Sequence, residues 1–272
     1  MKNKIIIIEK KIRNPYFSII TVVKNDQKNI KNTIESIKAQ KFRKFEYIVI
    51  DGNSKDKTID QIFKLKNSVN LLITEKDKGL YDAMNKGVKH SKGRVIVFVN
   101  SGDLLTKNAL QIIHKVFLKN KKIDFVFGTV RRKYTKGTLL KSGFNKKKLY
   151  YNFDFATSHS TGFFLKRKSF KKIGLFNLKY KCSADYDLYF RALIKNNFQG
   201  LSNNKSELIG IVQSGGFSSK FSFLEHLIEE TKIRIDNKQN FFIILIIIIN
   251  SLMKKFLKLM HLEKIFFPVF GK

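Results

Sequence analysis

The chain has 272 residues, 43% of them hydrophobic, with only 15 Gly and 2 Pro. That is enough apolar content for one sizeable core, and it excludes a disordered or fibrous chain. The net charge is +33, from 54 Lys and Arg against 21 acidic residues; such an excess fits either a polyanionic partner or a lysine-rich surface, and the spread of lysines along the whole chain favours the surface.

No zinc-ligand spacing or nucleic-acid motif is present, Trp is absent, and the aromatics are mostly Phe, which suits a core better than a base-stacking platform. Nucleic acid is therefore not an expected partner. The single cysteine, Cys182, cannot form an internal disulfide, so a reducing, cytoplasmic setting is expected. Ile5 to Ile8 is a run of four apolar residues, short of the roughly 7–15 that a signal peptide needs.

The first strand is expected at Tyr16 to Val23, entered at Pro15 and closed by Lys24-Asn25-Asp26. Ile30, Ile34 and Ile37 then mark an amphipathic helix. Phe45 to Ile50 reads as a strand closing on Asp51-Gly52-Asn53-Ser54, and Thr58 to Leu65 as a helix. Leu71 to Thr74 is a third strand, left through Glu75 to Gly79, and Leu80 to Val88 a helix. Val95 to Val99 is an unbroken apolar run that reads as a strand buried on both faces. It stops at Asn100-Ser101-Gly102-Asp103. This alternation predicts an α/β fold with a mostly parallel central sheet flanked by helices.

Each of these strands ends in a polar turn with a carboxylate: Asp26, Asp51, Asp77 and Asp103. In a parallel sheet all four turns share one edge, where α/β proteins bind ligands. The chain has neither a Gly-x-Gly-x-x-Gly loop nor a Walker-type lysine loop, so dinucleotide and P-loop chemistry are unsupported.

Farther on, Ala109 to Leu118 is expected to be helical, and Phe125 to Val130 and Thr138 to Lys141 to be strands around the basic turn Arg131-Arg132-Lys133. Gly162 to Leu165 is a strand, and Ala184 to Ile194 a helix that Asp185 opens. Arg191 stands four residues after Asp187, a spacing that permits an ion pair. Residues two apart on a helix point about 200° apart, so Asp185 and Asp187 cannot both face one ligand.

Several stretches in the same order resemble a family 2 glycosyltransferase. They are Ser18 to Asn25, Tyr47 to Thr58 with its Asp51-Gly52-Asn53-Ser54, and Asp77 to Gly87. Asn100 to Asp103 stands where that family has its Asp-x-Asp-like metal turn, and Ser183 to Arg191 is similar to its acidic motif. The resemblance spans about Tyr16 to Phe217. It implies a GT-A fold, a nucleotide-sugar donor (a UDP-sugar first) and inversion at the anomeric carbon. Asp185 is then the base, and Asp103 the ligand of Mg²⁺ or Mn²⁺. Donor contacts are implied for Thr21, Val23, Asn25, Asp51 and Ser54 on the first two turns. Others are implied for Lys78, Asp82, Asn85, Asn100, Ser101 and His159. Gly102 leaves one carboxylate in a turn where many members carry two. Mg²⁺ takes most of its ligands from water and phosphate, so one can suffice.

The sequence divides into an extension (1–14), a catalytic domain (15–219) and a helical tail (220–272). The tail holds an amphipathic helix, Phe221 to Ile235, then nine apolar residues, Phe241 to Ile249, and an apolar run interleaved with Lys254, Lys255 and Lys258. A spanning helix needs about 20 apolar residues. An interfacial helix at the inner face of the membrane fits better, with an oligomer contact as the competing reading. Two functions stand: a transferase acting on a glycan or lipid-linked acceptor in cell-surface polysaccharide synthesis, and a non-catalytic module of the same fold that binds an anionic polymer or membrane.

Overall fold

The computed structural model describes residues 5–134, 137–151 and 160–260. After β1 (Ile5–Glu9), strands and helices alternate as β2 (Phe17–Val23), α1 (Ile30–Lys38), β3 (Phe45–Asp51), α2 (Thr58–Lys64), β4 (Leu71–Thr74), α3 (Leu80–His90) and β5 (Val95–Phe98). β4, β3, β2 and β5 lie side by side in that order and run parallel. β1 pairs antiparallel with the outer side of β4, a strand that the sequence reading does not assign.

Every residue of β2 and β5 is buried, as uninterrupted β-branched runs between two helical layers must be. Successive side chains point to opposite faces and feed two cores. Ile19 and Val49 meet Ile30, Ile34 and Ile37 of α1. Ile20 and Ile48 meet Tyr81, Met84 and Val88 of α3.

The chain continues through β6 (Leu104–Leu105), α4 (Ala109–Lys119), β7 (Phe125–Phe127), β8 (Thr129–Tyr134), β9 (Gly137–Lys141), α5 (Lys146–Tyr151), β10 (Phe163–Lys166), α6 (Arg167–Ile173), α7 (Ala184–Phe190), β11 (Gly200–Ser202), β12 (Leu208–Val212), α8 (Phe223–Asp236) and α9 (Phe241–Leu259). β10, β7 and β11 extend the large sheet beyond β5, with β10 antiparallel to both its neighbours. A second sheet has the order β6-β12-β8-β9.

Three expectations are corrected, the first being the basic turn Arg131-Arg132-Lys133, which lies within β8 and pairs with β9. The single strand Phe125 to Val130 divides at Gly128, where the chain crosses from the large sheet to the small one. The Gly128 N–H donates to the Gly162 carbonyl at 2.7 Å. A Cβ there would stand 2.9 Å from the Ile209 side chain. The helix from Ala184 keeps α geometry only to Phe190 and then widens into a π turn, Arg191–Lys195. Asn196 stabilises that turn, its backbone N–H and its side-chain amide both donating to the Arg191 carbonyl at 3.0 and 2.9 Å.

α8 packs on α7, and α9 against α8. Among the described residues, no helix is long and apolar enough to cross a membrane.

Candidate active site

The carboxyl ends of β2 to β5 open into a cavity of about 870 Å³. Its lining includes Asp26, Asp77 and the turn Asn100 to Asp103, and also Tyr81, Asp185, Tyr189 and Gln213 to Lys220. A carboxylate-rich sheet edge and a helix with a carboxylate in its first turn therefore share one cavity.

The turn after β5 is tied down on three sides. Gly102 has φ +95°, the left-handed region that a side chain disfavours. The Thr33 hydroxyl of α1 accepts the Gly102 N–H at 3.0 Å and donates to the Asp103 carbonyl at 2.9 Å. Ser101 Oγ donates to Asp26 Oδ2 at 2.6 Å. The buried Asp103 carboxylate accepts the Thr161 hydroxyl at 2.7 Å and the Gln213 N–H at 3.1 Å. It thus joins the large sheet to the segment that follows β12. Asn100 Oδ1 is buried without a hydrogen-bond partner among the described residues, an acceptor left open in the cavity wall.

Asn25, Asp51 and Ser54 come together as one bonded group. Asn25 adopts φ +51°, which Asn tolerates better than most residues. Its N–H donates to Ser54 Oγ at 2.8 Å, and its side chain accepts the Lys55 N–H at 2.7 Å. The fully buried Asp51 carboxylate accepts the Ser54 N–H at 3.0 Å and the Thr74 hydroxyl at 2.9 Å. Gly52 lies close beside Asp77, and a Cβ there would push the Asp77 carboxylate aside.

The structure separates the residues assigned to the donor into two groups. Val23, Asn25, Asn100 and Ser101 line the cavity, as do Asp103 and Asp185. Thr21, Asp51, Ser54, Lys78, Asp82 and Asn85 are not among the lining residues. Thr21 donates to the Val99 carbonyl at 2.6 Å and stands 3.0 Å from the Tyr47 hydroxyl. Asp82 accepts the Lys78 N–H at 2.9 Å and meets Lys86 at 3.5 Å. The Asn85 side chain clasps both backbone groups of Phe176 at 2.9 Å. His159 lies outside the described residues.

Asp185 stands in the first turn of α7 with Oδ1 3.0 Å from the Tyr81 hydroxyl and 2.9 Å from the Tyr186 N–H. Burial, and then the charge of Asp185, hold the Tyr81 and Tyr189 phenols well above their ordinary range. Asp187 points away and pairs with Arg191, Nε and Nη2 both at 2.8 Å. The expected pair is present, but it is not a surface pair. Asp187 is 2% exposed, and Asn237 Nδ2 also donates to it at 3.2 Å.

The sequence reading missed Tyr81, Thr161 and Gln213. Tyr81 lies inside a recognised stretch, so a signal was there. Thr161 and Gln213 sit in segments whose residue types carry none.

Residues 18–174 match the family described as Glycosyl transferase family 2. A PGL/p-HBAD biosynthesis glycosyltransferase of Mycobacterium bovis is 30% identical over 208 residues, 70% of this chain and 80% of the relative. The Escherichia coli UDP-Glc:alpha-D-GlcNAc-diphosphoundecaprenol beta-1,3-glucosyltransferase WfgD is 33% identical over 112 residues, 41% of this chain and 44% of the relative. Among solved structures, S. aureus TarS (1-349) in complex with UDP-GlcNAc is similar with a TM-score of 0.65 at 19% identity, covering 82% of this chain and 68% of that one.

Proposed function

The chain belongs to glycosyl transferase family 2 and is a glycosyltransferase of the GT-A fold, and on that premise we propose an inverting transfer from a UDP-sugar to a hydroxyl of a lipid-linked glycan in cell-surface polysaccharide synthesis. The observation that carries the reading is that Asp185 and the Asn100 to Asp103 turn line one cavity.

The donor diphosphate would lie along the sheet edge beside Asn100, Ser101 and Asp103. Asp51, Ser54 and Asn25, bonded to one another, would shape the floor under the nucleoside. Lys78, Asp82 and Asn85 would support the edge from behind. Asp185 would accept the proton of the acceptor hydroxyl as its oxygen bonds to the anomeric carbon. The bond from that carbon to the phosphate oxygen breaks, and its electron pair leaves with the nucleoside diphosphate. Attack opposite the leaving group inverts the centre. A base so placed contributes on the order of 10²–10⁴-fold.

The residues present fit a divalent ion, Mg²⁺ or Mn²⁺. Asp103 offers a carboxylate at the cavity wall, and the partnerless Asn100 Oδ1 is a second oxygen donor in the same turn. When bound, such an ion supplies Lewis-acid stabilisation of the departing diphosphate.

A second part of the reading concerns place. α9 turns Phe241, Phe242, Ile246, Ile249 and Phe256 outward, with Phe242 72% exposed. The flanking lysines suit an anionic bilayer surface, and we place the enzyme at the cytoplasmic face of the membrane, held peripherally. WfgD, by its description, acts on a diphosphoundecaprenol-linked sugar, which is consistent with such a site of action.

The test is a panel of UDP-sugars assayed for UDP release, with and without Mg²⁺, in wild type and Asp185→Asn. We expect release with at least one sugar, with kcat lowered two or more orders of magnitude in the variant and UDP affinity unchanged. Release in Asp185→Asn at the wild-type rate would remove Asp185 from the reaction.

A further inference from the structure

α8 buries Leu227 and Ile233 but leaves other apolar residues in solvent and turns polar ones inward. At 100° per residue, Leu224, Ile228 and Ile235 share one side, and His226, Glu230 and Asn237 share the opposite one. The apolar three are each more than half exposed. The polar side is the one that meets α7 and the segment leading into it.

The contacts on that side converge on the residues around Asp185. The Glu229 carboxylate accepts three consecutive backbone N–H groups, from Lys181 at 2.6 Å, Cys182 at 2.9 Å and Ser183 at 3.0 Å. The Cys182 thiol donates to it as well, at 3.1 Å. Hydrogen bonds to an ionised acceptor are about twice as strong as neutral ones. Burial opposes the charge on Glu229, yet these donors outweigh it and hold the carboxyl below its ordinary range. Two residues after Ser183 comes Asp185. His226 Nδ1 stands 3.3 Å from Ser183 Oγ, and Asn237 reaches Asp187 on the far side. Tyr81 touches Asp185 itself; Glu229 holds the backbone that leads to it, together with the Cys182 thiol.

We propose that Glu229 is a positioning residue for the transfer reaction, a carboxylate that fixes the Lys181–Ser183 backbone so that Asp185 is presented to the acceptor hydroxyl. The proposal rests on the reading of Asp185 as base. Glu229 is not among the residues that line the cavity, so its role separates from donor binding. A base must lie within about 2.6–3.2 Å of its proton, and a displacement of about 1 Å can cost on the order of 100-fold in rate. Losing the carboxylate frees three N–H groups at once and lets the start of α7 shift by that amount.

The experiment uses the full chain as Glu229→Ala, Glu229→Gln and Asp185→Asn. UDP binding by calorimetry counts the folded sites, and UDP release gives kcat per site. Hydrogen exchange follows the amides of residues 181–185. In Glu229→Ala we expect kcat per site to fall at least tenfold, with UDP affinity within twofold of wild type and faster exchange at 181–185. Glu229→Gln, which keeps an oxygen acceptor, should recover part of the rate. Wild-type kcat per UDP-binding site in Glu229→Ala, with Asp185→Asn inactive, overturns the positioning role alone. Loss of activity only in proportion to lost UDP sites overturns it too. Wild-type turnover in Asp185→Asn overturns the base reading instead.

Discussion

The Tyr81 hydroxyl stands 3.0 Å from Asp185 Oδ1 and 3.0 Å from the Cys182 carbonyl oxygen, so its one proton serves two acceptors on the segment that opens α7. Tyr81 comes from α3 and Asp185 from α7; this contact joins the two helices at the cavity. Tyr81→Phe should keep the ring packed on Phe176 and lose the bridge. We expect kcat lower by about tenfold, and stability lower by about 1–2 kcal/mol for the acceptors left short of a donor. Steady-state kinetics and urea unfolding check both, and an unchanged kcat would show that the bridge does not serve the base.

Asp103 has two duties in this structure. Its carboxylate faces the cavity, and it also receives Thr161 and Gln213. Asp103→Ala should abolish metal-dependent turnover and also lower stability, by about 1–3 kcal/mol for each buried donor left unpaired. Asp103→Asn should keep more of the stability and little of the turnover. Calorimetric titration with Mn²⁺ in the presence of UDP, beside thermal unfolding, separates the two losses.

The Asp187–Arg191 pair changes in weight once its burial is known. As a surface pair it would be worth only about 0.3–0.5 kcal/mol. Asp187 is buried and bonded to both Nε and Nη2, but the Arg191 side chain is 16% exposed and also donates to the Ile173 and Leu175 carbonyls, so a broken pair leaves the guanidinium with acceptors. Asp187→Asn should therefore cost more than a surface pair, about 1–3 kcal/mol by urea unfolding, while UDP affinity per folded molecule stays that of wild type.

Glu230 gives a pH signature. Burial first, and then the charge of Asp185, push its carboxyl from an ordinary 4.5 up to about 8, with Arg234 opposing and Glu229 adding to the rise. The folded chain thus keeps this proton up to about pH 8, while the unfolded chain releases it near 4.5. Between those limits the folded state binds more protons, so stability falls as pH rises. The contribution is complete below 4.5 and gone above 8. Wild type should lose more Tm than Glu230→Gln between pH 5 and pH 8. Parallel Tm–pH curves for the two proteins would refute this.

The two C-terminal helices should behave differently on truncation. A chain ending at Asn240 loses α9 and keeps the brace on α7; it should remain folded and bind UDP. A chain ending at Ser222 also loses Arg234, which is fully buried and donates to the Leu149 and Tyr150 carbonyls; it should not fold. The full chain should sediment with anionic vesicles at low salt. It should do so less at 1 M salt, where the Debye length shrinks to about 3 Å, and the chain ending at Asn240 should stay in solution. A full chain that stays in the supernatant at low salt would remove the bilayer as the partner of α9.

Much of this was legible in residue types, because the first half of the fold is local. Each strand from Phe17 to Phe98 is an apolar run followed by a turn former and a periodic helix, and the parallel order puts Asp26, Asp51, Asp77 and Asp103 on one edge without further information. The second half depends on contacts far apart in sequence. The break at Gly128 is set by Gly162 and Ile209, and Asp103 is completed by Gln213, 110 residues later. α8 misleads for a different reason. Its periodicity is that of a helix, but Glu229 turns toward the segment before α7 because Lys181, Cys182 and Ser183 present N–H groups there, a demand that a local pattern does not record.

The free edge of the smaller sheet gives the large positive charge a use that involves no ligand. Among the described residues β9 pairs only with β8, and its Leu139 and Leu140 are 43% and 41% exposed. A strand with an open row of backbone groups and two leucines is a template for another chain. Arg131, Arg132 and Lys133 on β8 and Lys141 on β9 set cations around it, so two molecules approaching edge to edge meet like charge before they meet hydrogen bonds. Such repulsion opposes edge-to-edge pairing of this hairpin, and most strongly at low ionic strength.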